Sequence, residues 1–303
     1  MPNILAVCLS ATIQKTVSFD SVELTKVNRS KNYRLDASGK AVNTSRVLTQ
    51  INPECCYTIC PLGEKNADLF LDLAERDNIY VDFVTIPGFT RECLTLLDRT
   101  ANTTTEIVVG EPDIKVSCQK QEKEILKKIK EQLSYADAVL LAGSKPSIWS
   151  DDLYAKIAEM TLNKGVIFLA DYVGKDMEET LKRCTPTIIK INDEEFEKTF
   201  GMAATKENIT EKSRELNNII VVTRGTESTY AAKRGEFAEC PVEKLTPVNT
   251  TACGDSFNAG FLYEYSVSED FEEALNEGTW CAARNAECEC PGSLWTKVNE
   301  SLK

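Results

Sequence analysis

The chain has 303 residues, of which 42% are hydrophobic, enough to bury a large core in one large α/β domain or two smaller ones. Its formal charge at pH 7 is −12, from 35 Lys and Arg against 47 Asp and Glu, which argues against nucleic acid or an anionic membrane as the main partner. No apolar stretch has membrane-spanning length and no basic segment follows Met1, so we expect a cytoplasmic protein.

The chain contains no histidine. This excludes Ser-His-Asp and Cys-His nucleophilic catalysis and every His-ligated metal centre. The 12 cysteines are scattered through apolar segments, and their two clusters lack the spacing of a zinc site, so we interpret them as reduced core residues. A carboxylate base working with an oxygen-ligated Mg²⁺ is compatible with this composition.

The first apolar run, residues 4–9, predicts a buried parallel strand. No Gly-rich turn follows it, which disfavours a nicotinamide dehydrogenase built on a first-strand dinucleotide fingerprint. Residues 17–35 alternate loosely and predict edge strands or a hairpin. Gly39 and Lys40 then precede a helical pattern and form a candidate anion site, but the spacing is not that of a P-loop.

The middle and second half of the chain alternate between predicted strands and helices. We predict strands at residues 56–62, 80–86, 91–97, 104–109, 138–142, 166–171, 187–191 and 219–223, and an antiparallel edge at 230–233. Repeated βα units predict a largely parallel sheet covered on both faces. Lys145 is a cation just after one of these strands, where ligands gather in open α/β sheets.

Residues 249–257 carry the clearest chemistry. Small and hydroxylated residues form a turn, and an amphipathic helix begins at Gly254. Unpaired N–H groups and the helix dipole favour phosphate there. Asp255 in the same turn would repel phosphate, but its presence makes sense if it takes a proton from a hydroxyl that attacks that phosphate. An ordinary helix start with an acidic residue is the alternative.

This turn resembles the D/N-T-x-G-A-G-D signature of the ribokinase-like carbohydrate kinases, the phosphofructokinase B family. Ala252 and Cys253 replace Gly and Ala, which keeps the backbone accessible to phosphate unless Ala252 needs a positive φ. Four further segments resemble family motifs in the same order: residues 38–43 (G/A-G-K-G-x-N), 90–106 (the phosphosugar branch), 190–195 (K-P-N-x-x-E) and 223–228 (T/S-x-G-x-x-G).

The resemblance implies a ribokinase-like three-layer α/β sandwich with a mostly parallel central sheet and a small β-sheet lid. It implies a single kinase domain over residues 1–303, with lid segments near 12–36 and 89–110. Relatives often pair through the lid, so a homodimer is a hypothesis.

The resemblance also implies roles for individual residues. Asp255 is the expected general base, and the N–H groups of Ala252, Cys253 and Gly254 are the expected anion hole. Gln14 stands where the family has an Asp that holds substrate hydroxyls. The expected sugar-phosphate ligands are Gln14, Gly39, Lys40, Asn43, Arg91 and Lys145. The expected ATP ligands are Lys190, Thr223, Gly225, Glu227, Gly254 and Asn285. Asn192 and Glu195 are expected to organise Mg²⁺ largely through water, although this pair is also a helix-capping pattern.

The implied activity is ATP-dependent phosphorylation of a sugar phosphate, with fructose 1-phosphate converted to fructose 1,6-bisphosphate as the leading hypothesis. Tagatose-6-phosphate kinase, or another sugar or nucleoside kinase of the same fold, is the alternative within the family. A non-catalytic sugar-phosphate sensor is the alternative of another class, because Gln14, Ser38, Ala252 and Ser228 all depart from the family motifs.

Overall fold

The computed structural model of the protein describes residues 1–111, 113–114 and 116–294. Within these residues the strands form one sheet of nine and one of four. The large sheet organises the hydrophobic core, and the small sheet contributes Glu106 to the wall of the cleft described below.

The central sheet is mostly parallel. Across the sheet, its described strands are β13 (Glu236–Cys240), β12 (Thr229–Lys233), β11 (Ile219–Thr223), β10 (Ile188–Asn192), β9 (Ile167–Asp171), β8 (Ala138–Ala142), β1 (Ile4–Val7), β4 (Cys56–Gly63) and β5 (Val81–Ile86). The strands from β11 to β5 are all parallel, and β12 and β13 are added antiparallel at one edge.

Helices cover both faces of this sheet. One face carries α1 (Lys40–Ile51), α2 (Ala67–Arg76), α8 (Cys253–Ser268) and α9 (Phe271–Ala286). The other carries α3 (Gln119–Gln132), α4 (Leu153–Leu162), α5 (Lys175–Leu181), α6 (Asp193–Phe200) and α7 (Lys206–Leu216). In β1, Ile4 and Ala6 join the first core while Leu5 and Val7 join the second, since successive strand side chains point to opposite faces. The predicted three-layer α/β sandwich is confirmed.

The small sheet has the order β3-β2-β6-β7. Its strands are β2 (Thr12–Phe19), β3 (Tyr33–Ser38), β6 (Arg91–Asp98) and β7 (Thr103–Ile107). β2 and β6 run parallel, and the outer pairings are antiparallel. The strands fall in the two stretches that the family resemblance assigned to the lid, apart from the last residues of β3.

The edge predicted at residues 230–233 is antiparallel, as expected, but it is not the edge of the sheet. β13 pairs outside β12, and the two strands are joined at Arg234 and Gly235, which both have positive φ. Such a two-residue turn is typical of a tight hairpin. The prediction was wrong because a weakly apolar strand such as Glu236–Cys240 has little periodicity to detect.

None of the described helices is both long enough and apolar enough to cross a membrane.

Candidate active site

The main cleft lies at the carboxyl ends of the parallel strands, where open α/β sheets bind ligands. Its volume is about 790 Å³, which is large enough for a nucleotide. The end of β10, the end of β11, the start of α8 and one face of α9 contribute to its walls. The residues that line it include Lys40, Glu106, Lys190, Asn192, Glu195, Thr223, Gly225, Glu227, Ala252, Cys253, Gly254 and Asp255.

The turn before α8 is held by buried asparagines. Asn249 Oδ1 accepts a hydrogen bond from the Thr251 N–H over 3.0 Å, and Asn285 Nδ2 donates to the Thr251 carbonyl over 2.9 Å. Ala252 is the N-cap of α8 and adopts a left-handed conformation, with φ +66° and ψ +13°. Position 252 therefore does need a positive φ, a conformation that favours glycine. This chain places an alanine there.

Asp255 lies in the first turn of α8 with 7% of its surface exposed. Its Oδ2 accepts a hydrogen bond from Asn43 Nδ2 over 2.8 Å, and no ion pair to its carboxylate is found among the described residues at salt-bridge distance. Burial raises the pKa of Asp255 to about 6, against the lowering influence of the Lys40 charge and the Asn43 amide. A carboxylate with this pKa is ionised at pH 7 yet basic enough to accept a proton.

Asp171 joins two lysines of the cleft, and the sequence analysis did not identify it. It ends β9, is 1% exposed, and accepts hydrogen bonds from Lys40 Nζ at 2.7 Å and Asn258 Nδ2 at 2.7 Å. Lys190 Nζ lies 3.4 Å from Asp171 Oδ2, the oxygen that also accepts from Asn258. Although burial opposes ionisation, the charges of Lys190 and Lys40 hold the pKa of Asp171 below its usual range. An acidic residue ending an apolar strand was the signal that could have found it.

Lys190 lies beside the start of α8. A methyl group added at Gly254 would come within 2.8 Å of Lys190 Nζ. The ammonium group is thus next to the N–H groups of the helix start, where both favour an anion.

Asn192 and Glu195 form a capping box at α6. Asn192 Oδ1 accepts from the Glu195 N–H over 2.7 Å, and Glu195 Oε2 accepts from the Asn192 N–H over 2.9 Å. The box uses one of the two Glu195 oxygens, and both residues line the cleft. In the described part of the chain no three Cys, Asp or Glu side chains are grouped to hold a metal ion by themselves. One carboxylate with water and substrate phosphates still fits the usual mode of binding Mg²⁺.

Three of the predicted ATP ligands also line the cleft. They are Thr223, Gly225 and Glu227, and small residues of α9 line the same cleft. A segment that the sequence analysis missed completes the wall: Val242, Glu243, Lys244, Leu245 and Pro247. This segment has no motif and no periodicity, so no sequence signal identified it.

Some predicted ligands do not line the main cleft in the described structure. Gln14 Nε2 donates to Thr95 Oγ1 inside the small sheet, over 2.9 Å. Arg91 Nε donates to Thr12 Oγ1 over 2.8 Å, and its Nη1 lies 3.2 Å from Glu111 Oε1. Lys145 faces Asp176 at 3.5 Å.

Gly39, Asn43 and Asn285 are also not among the residues that line the cleft. Asn43 instead donates to Asp255 from behind the cleft wall. A side chain on Gly39 would collide with Cys8 Sγ at 2.7 Å, so this glycine allows α1 to pack against the residues after β1. Asn285 was expected to bind ATP. Instead its Nδ2 donates to Thr251 and its Oδ1 accepts from the Gly292 N–H over 2.7 Å, which orders the turn before α8.

One contact connects the small sheet to the start of α8. Thr251 Oγ1 donates a hydrogen bond to Glu106 Oε1 over 2.7 Å. Because Glu106 belongs to β7 and Thr251 precedes α8, this bond holds the small sheet over the cleft wall.

Comparisons with known proteins identify the family and the fold. The sequence profile of the pfkB family carbohydrate kinases matches residues 4–297. The tagatose-6-phosphate kinase of Staphylococcus epidermidis is 27% identical over 308 aligned residues, which cover 99% of this chain and 97% of that protein.

Solved structures share the fold at lower identity. Phosphofructokinase-2 from Escherichia coli, in complex with potassium, superposes with a TM-score of 0.83 at 15% identity, over 96% of this chain and 94% of that one. A ribokinase from Thermotoga maritima superposes with a TM-score of 0.74 at 20% identity, over 99% and 98% of the two chains.

Proposed function

The chain belongs to the pfkB family of carbohydrate kinases, and on that basis we propose that it transfers the γ-phosphoryl group of ATP to a ketohexose that already carries one phosphate. As a member of the family it is a phosphotransferase with an alcohol acceptor. The observation that carries the proposal is the environment of Asp255. Its carboxylate is buried in the first turn of α8, and its pKa is raised to about 6.

Asp255 acts as the general base. Its Oδ2 is held by Asn43, which leaves Oδ1 to accept the proton of the attacking hydroxyl. The N–H groups of Ala252, Cys253 and Gly254 receive the charge on the transferred phosphoryl group, and Lys190 beside Gly254 adds to that field. Fixed donors of this kind stabilise developing charge without reorganising.

Mg²⁺ would be organised by Asn192 and Glu195, through water and the nucleotide phosphates. When bound there, the ion would neutralise phosphate charge. The second oxygen of Glu195, which the capping box does not use, suits that role.

The phosphate already on the acceptor is held by Lys40 and Arg91. The Lys40 side chain is 40% exposed and paired with Asp171, so it can exchange that partner for a phosphate. Arg91 is paired with Glu111 and can make the same exchange with its planar fork. The four-stranded sheet that carries Arg91 acts as a lid, and the chain works as one kinase domain.

Fructose 1-phosphate is the leading acceptor, with fructose 1,6-bisphosphate as the product. Tagatose 6-phosphate is the second candidate, because the relative from Staphylococcus epidermidis carries that activity in its name. Both sugars are ketohexoses with a phosphate at one end of the carbon chain and a free primary hydroxyl at the other. One geometry of base and phosphate ligands therefore serves either.

The test is a screen of acceptors read by ADP release. Fructose 1-phosphate, tagatose 6-phosphate, fructose 6-phosphate, free ketohexoses and nucleosides would each be offered with Mg²⁺ and ATP. We expect turnover with a phosphorylated ketohexose and little with the free sugar. Thermal stabilisation by a sugar phosphate without ADP release from any acceptor would favour a non-catalytic sensor instead.

Replacing the base gives the matched control for that screen. Asp255→Asn keeps the shape and the hydrogen bond from Asn43 but cannot accept a proton. We expect kcat to fall by at least about two orders of magnitude with a small change in KM. Turnover close to that of the parent would remove Asp255 from the proposed mechanism.

A further inference from the structure

Arg46 is buried in the second turn of α1, with 3% of its surface exposed. A buried guanidinium is tolerated when it is paired and fully hydrogen-bonded. Its Nε donates to Asp77 Oδ2 over 2.9 Å, and its Nη1 donates to the Pro291 carbonyl over 3.0 Å. Its Nη2 donates to the carbonyl of Ala37, in strand β3 of the small sheet.

The remaining bond of Arg46 leads to the proposed base. Nη1 also donates to Asn43 Oδ1 over 3.1 Å, since residues three apart on a helix share a face. Ser38 Oγ donates to the same oxygen over 2.9 Å. Two donors satisfy both lone pairs of the amide oxygen, so the amide N–H₂ group must point the other way, toward Asp255.

We propose that Arg46 is a positioning residue for the general base: with Ser38, it fixes the Asn43 amide in the orientation that donates to the Asp255 carboxylate. This inference rests on the proposed role of Asp255 in catalysis. It also gives Ser38, a departure from the family motif, a place in the same unit. Asn43 then serves the base directly.

Losing this orientation has a defined electrostatic effect. A hydrogen bond to the ionised form of a carboxylate favours that form, so its loss raises the pKa. If the amide turned over, its oxygen would face the carboxylate and raise the pKa further. The titratable groups that surround Asp255 are Lys40 on α1, Asp171 on β9, Lys190 on β10 and Cys253 on α8, and none of them is changed by substituting Arg46.

The experiment measures the ionisation of Asp255 through stability, independently of kinase activity. The free energy of unfolding would be measured by urea from pH 4 to pH 8 for the parent, Asp255→Asn, Arg46→Lys and the double variant. Because the folded-state pKa of Asp255 exceeds its unfolded value of about 3.9, ionisation destabilises the fold. As pH rises, each background therefore loses stability relative to its Asp255→Asn partner. This difference in the free energy of unfolding levels off above the folded-state pKa.

We expect that difference to level off about half to one pH unit higher in the Arg46→Lys background than in the parent. A lysine keeps the charge near Asp77 but cannot reproduce the bonds of the planar fork. If an acceptor has been found, kcat should fall roughly tenfold in Arg46→Lys with a small change in the KM for ATP.

Arg76→Gln is the matched control. Arg76 also pairs with Asp77, through Nε at 3.0 Å, but has no bond to Asn43 in the described structure. It should lower stability without moving the pH at which the Asp255 difference levels off. If the pH at which the Asp255 difference levels off is the same in Arg46→Lys and Arg76→Gln, the proposal is overturned.

If Arg46→Lys fails to fold, Ser38→Ala carries the same test, because it removes one donor to Asn43 and changes the side chain only by the hydroxyl. A shift in the same direction supports the proposal, and an unchanged curve contradicts it. The stability curves can be read even if no sugar is phosphorylated, so failure of this inference and failure of the proposed function are distinguishable.

Discussion

Asp255 concentrates the chemistry of the site in one side chain. Its burial raises its pKa to about 6, and the Lys40 charge and the Asn43 amide limit that rise. The base is thus poised near neutral pH, because desolvation and two compensating partners act on the same carboxylate. Asp171 adds a second buried negative charge nearby, and it is in turn neutralised by Lys40 and Lys190.

The rate should depend on pH accordingly. Only ionised Asp255 can accept a proton, so kcat/KM should rise with pH through about 6, the folded-state value, and level off above it. The sugar phosphate has its own ionisation at about the same pH. The residual activity of Asp255→Asn serves as the control, since it should keep the contribution of the substrate and lose that of the base. A profile from the parent that matches the variant in shape would contradict the assignment.

Ala252 is the second position where one residue has a measurable effect. Its φ of +66° costs an L-residue about 1–2 kcal/mol. A glycine there avoids this cost, but part of the stability gained is lost because glycine gives the unfolded chain more conformational freedom. Ala252→Gly should therefore raise the free energy of unfolding by about 0.5–1 kcal/mol.

Chemical denaturation measures that change, with Ala259→Gly as the control. Ala259 lies buried inside α8, where glycine should instead cost about 1 kcal/mol. Loss of stability in both variants would mean that the conformation of the turn has been misread.

At the scale of elements, the pair α8 and α9 sets where Asp255 lies. Gly260 of α8 packs directly on α9: a Cβ at this position would come within 2.7 Å of both Cys281 Sγ and the Glu277 carbonyl oxygen. The absence of a side chain allows the two helices to approach, and the first turn of α8 is thereby held against the cleft.

Gly260→Ala should separate the two helices. We expect a loss of about 1–3 kcal/mol in the free energy of unfolding, and a fall in kcat because the start of α8 moves with the helix. Gly110→Ala is the control, since no described atom lies within 4 Å of a Cβ there. Unchanged stability in Gly260→Ala would show that the contact relaxes at no cost.

At the scale of the whole molecule, β3 and β7 are the edge strands of the small sheet, and each pairs with another strand on one side only in the described part of the chain. Large apolar side chains are exposed on it and in its loops: Leu24, Val27, Tyr33, Ile107 and Val108. Exposed edges and apolar groups of this kind invite pairing with another chain. We therefore propose a homodimer that forms through this sheet.

Native mass spectrometry at micromolar protein should give mainly the dimer. Ile107→Lys combined with Val108→Lys should shift it to monomer, because buried unpaired charges oppose association. Val267→Lys on α8 is the control, as it is 59% exposed and lies outside the small sheet. Finding only monomer for the parent protein would contradict the proposal.

The sequence by itself determined the layers of the fold and the turn that carries Asp255. Apolar periodicity is a local property, so the parallel strands and their covering helices could be located from it. A motif of consecutive residues such as 249–255 can likewise be recognised without the structure. The hairpin strand β13 escaped because its apolar signal is weak.

Tertiary structure alone decided which groups meet in the cleft. Asp171 lies 131 residues from Lys40 along the chain, Asn43 lies 212 from Asp255, and Thr251 lies 145 from Glu106. Asn285 likewise donates to the turn before α8 and is not among the residues that line the cleft. Such contacts depend on how the sheet and helices pack, and the desolvation that raises the pKa of Asp255 exists only once that packing has removed water from the carboxylate.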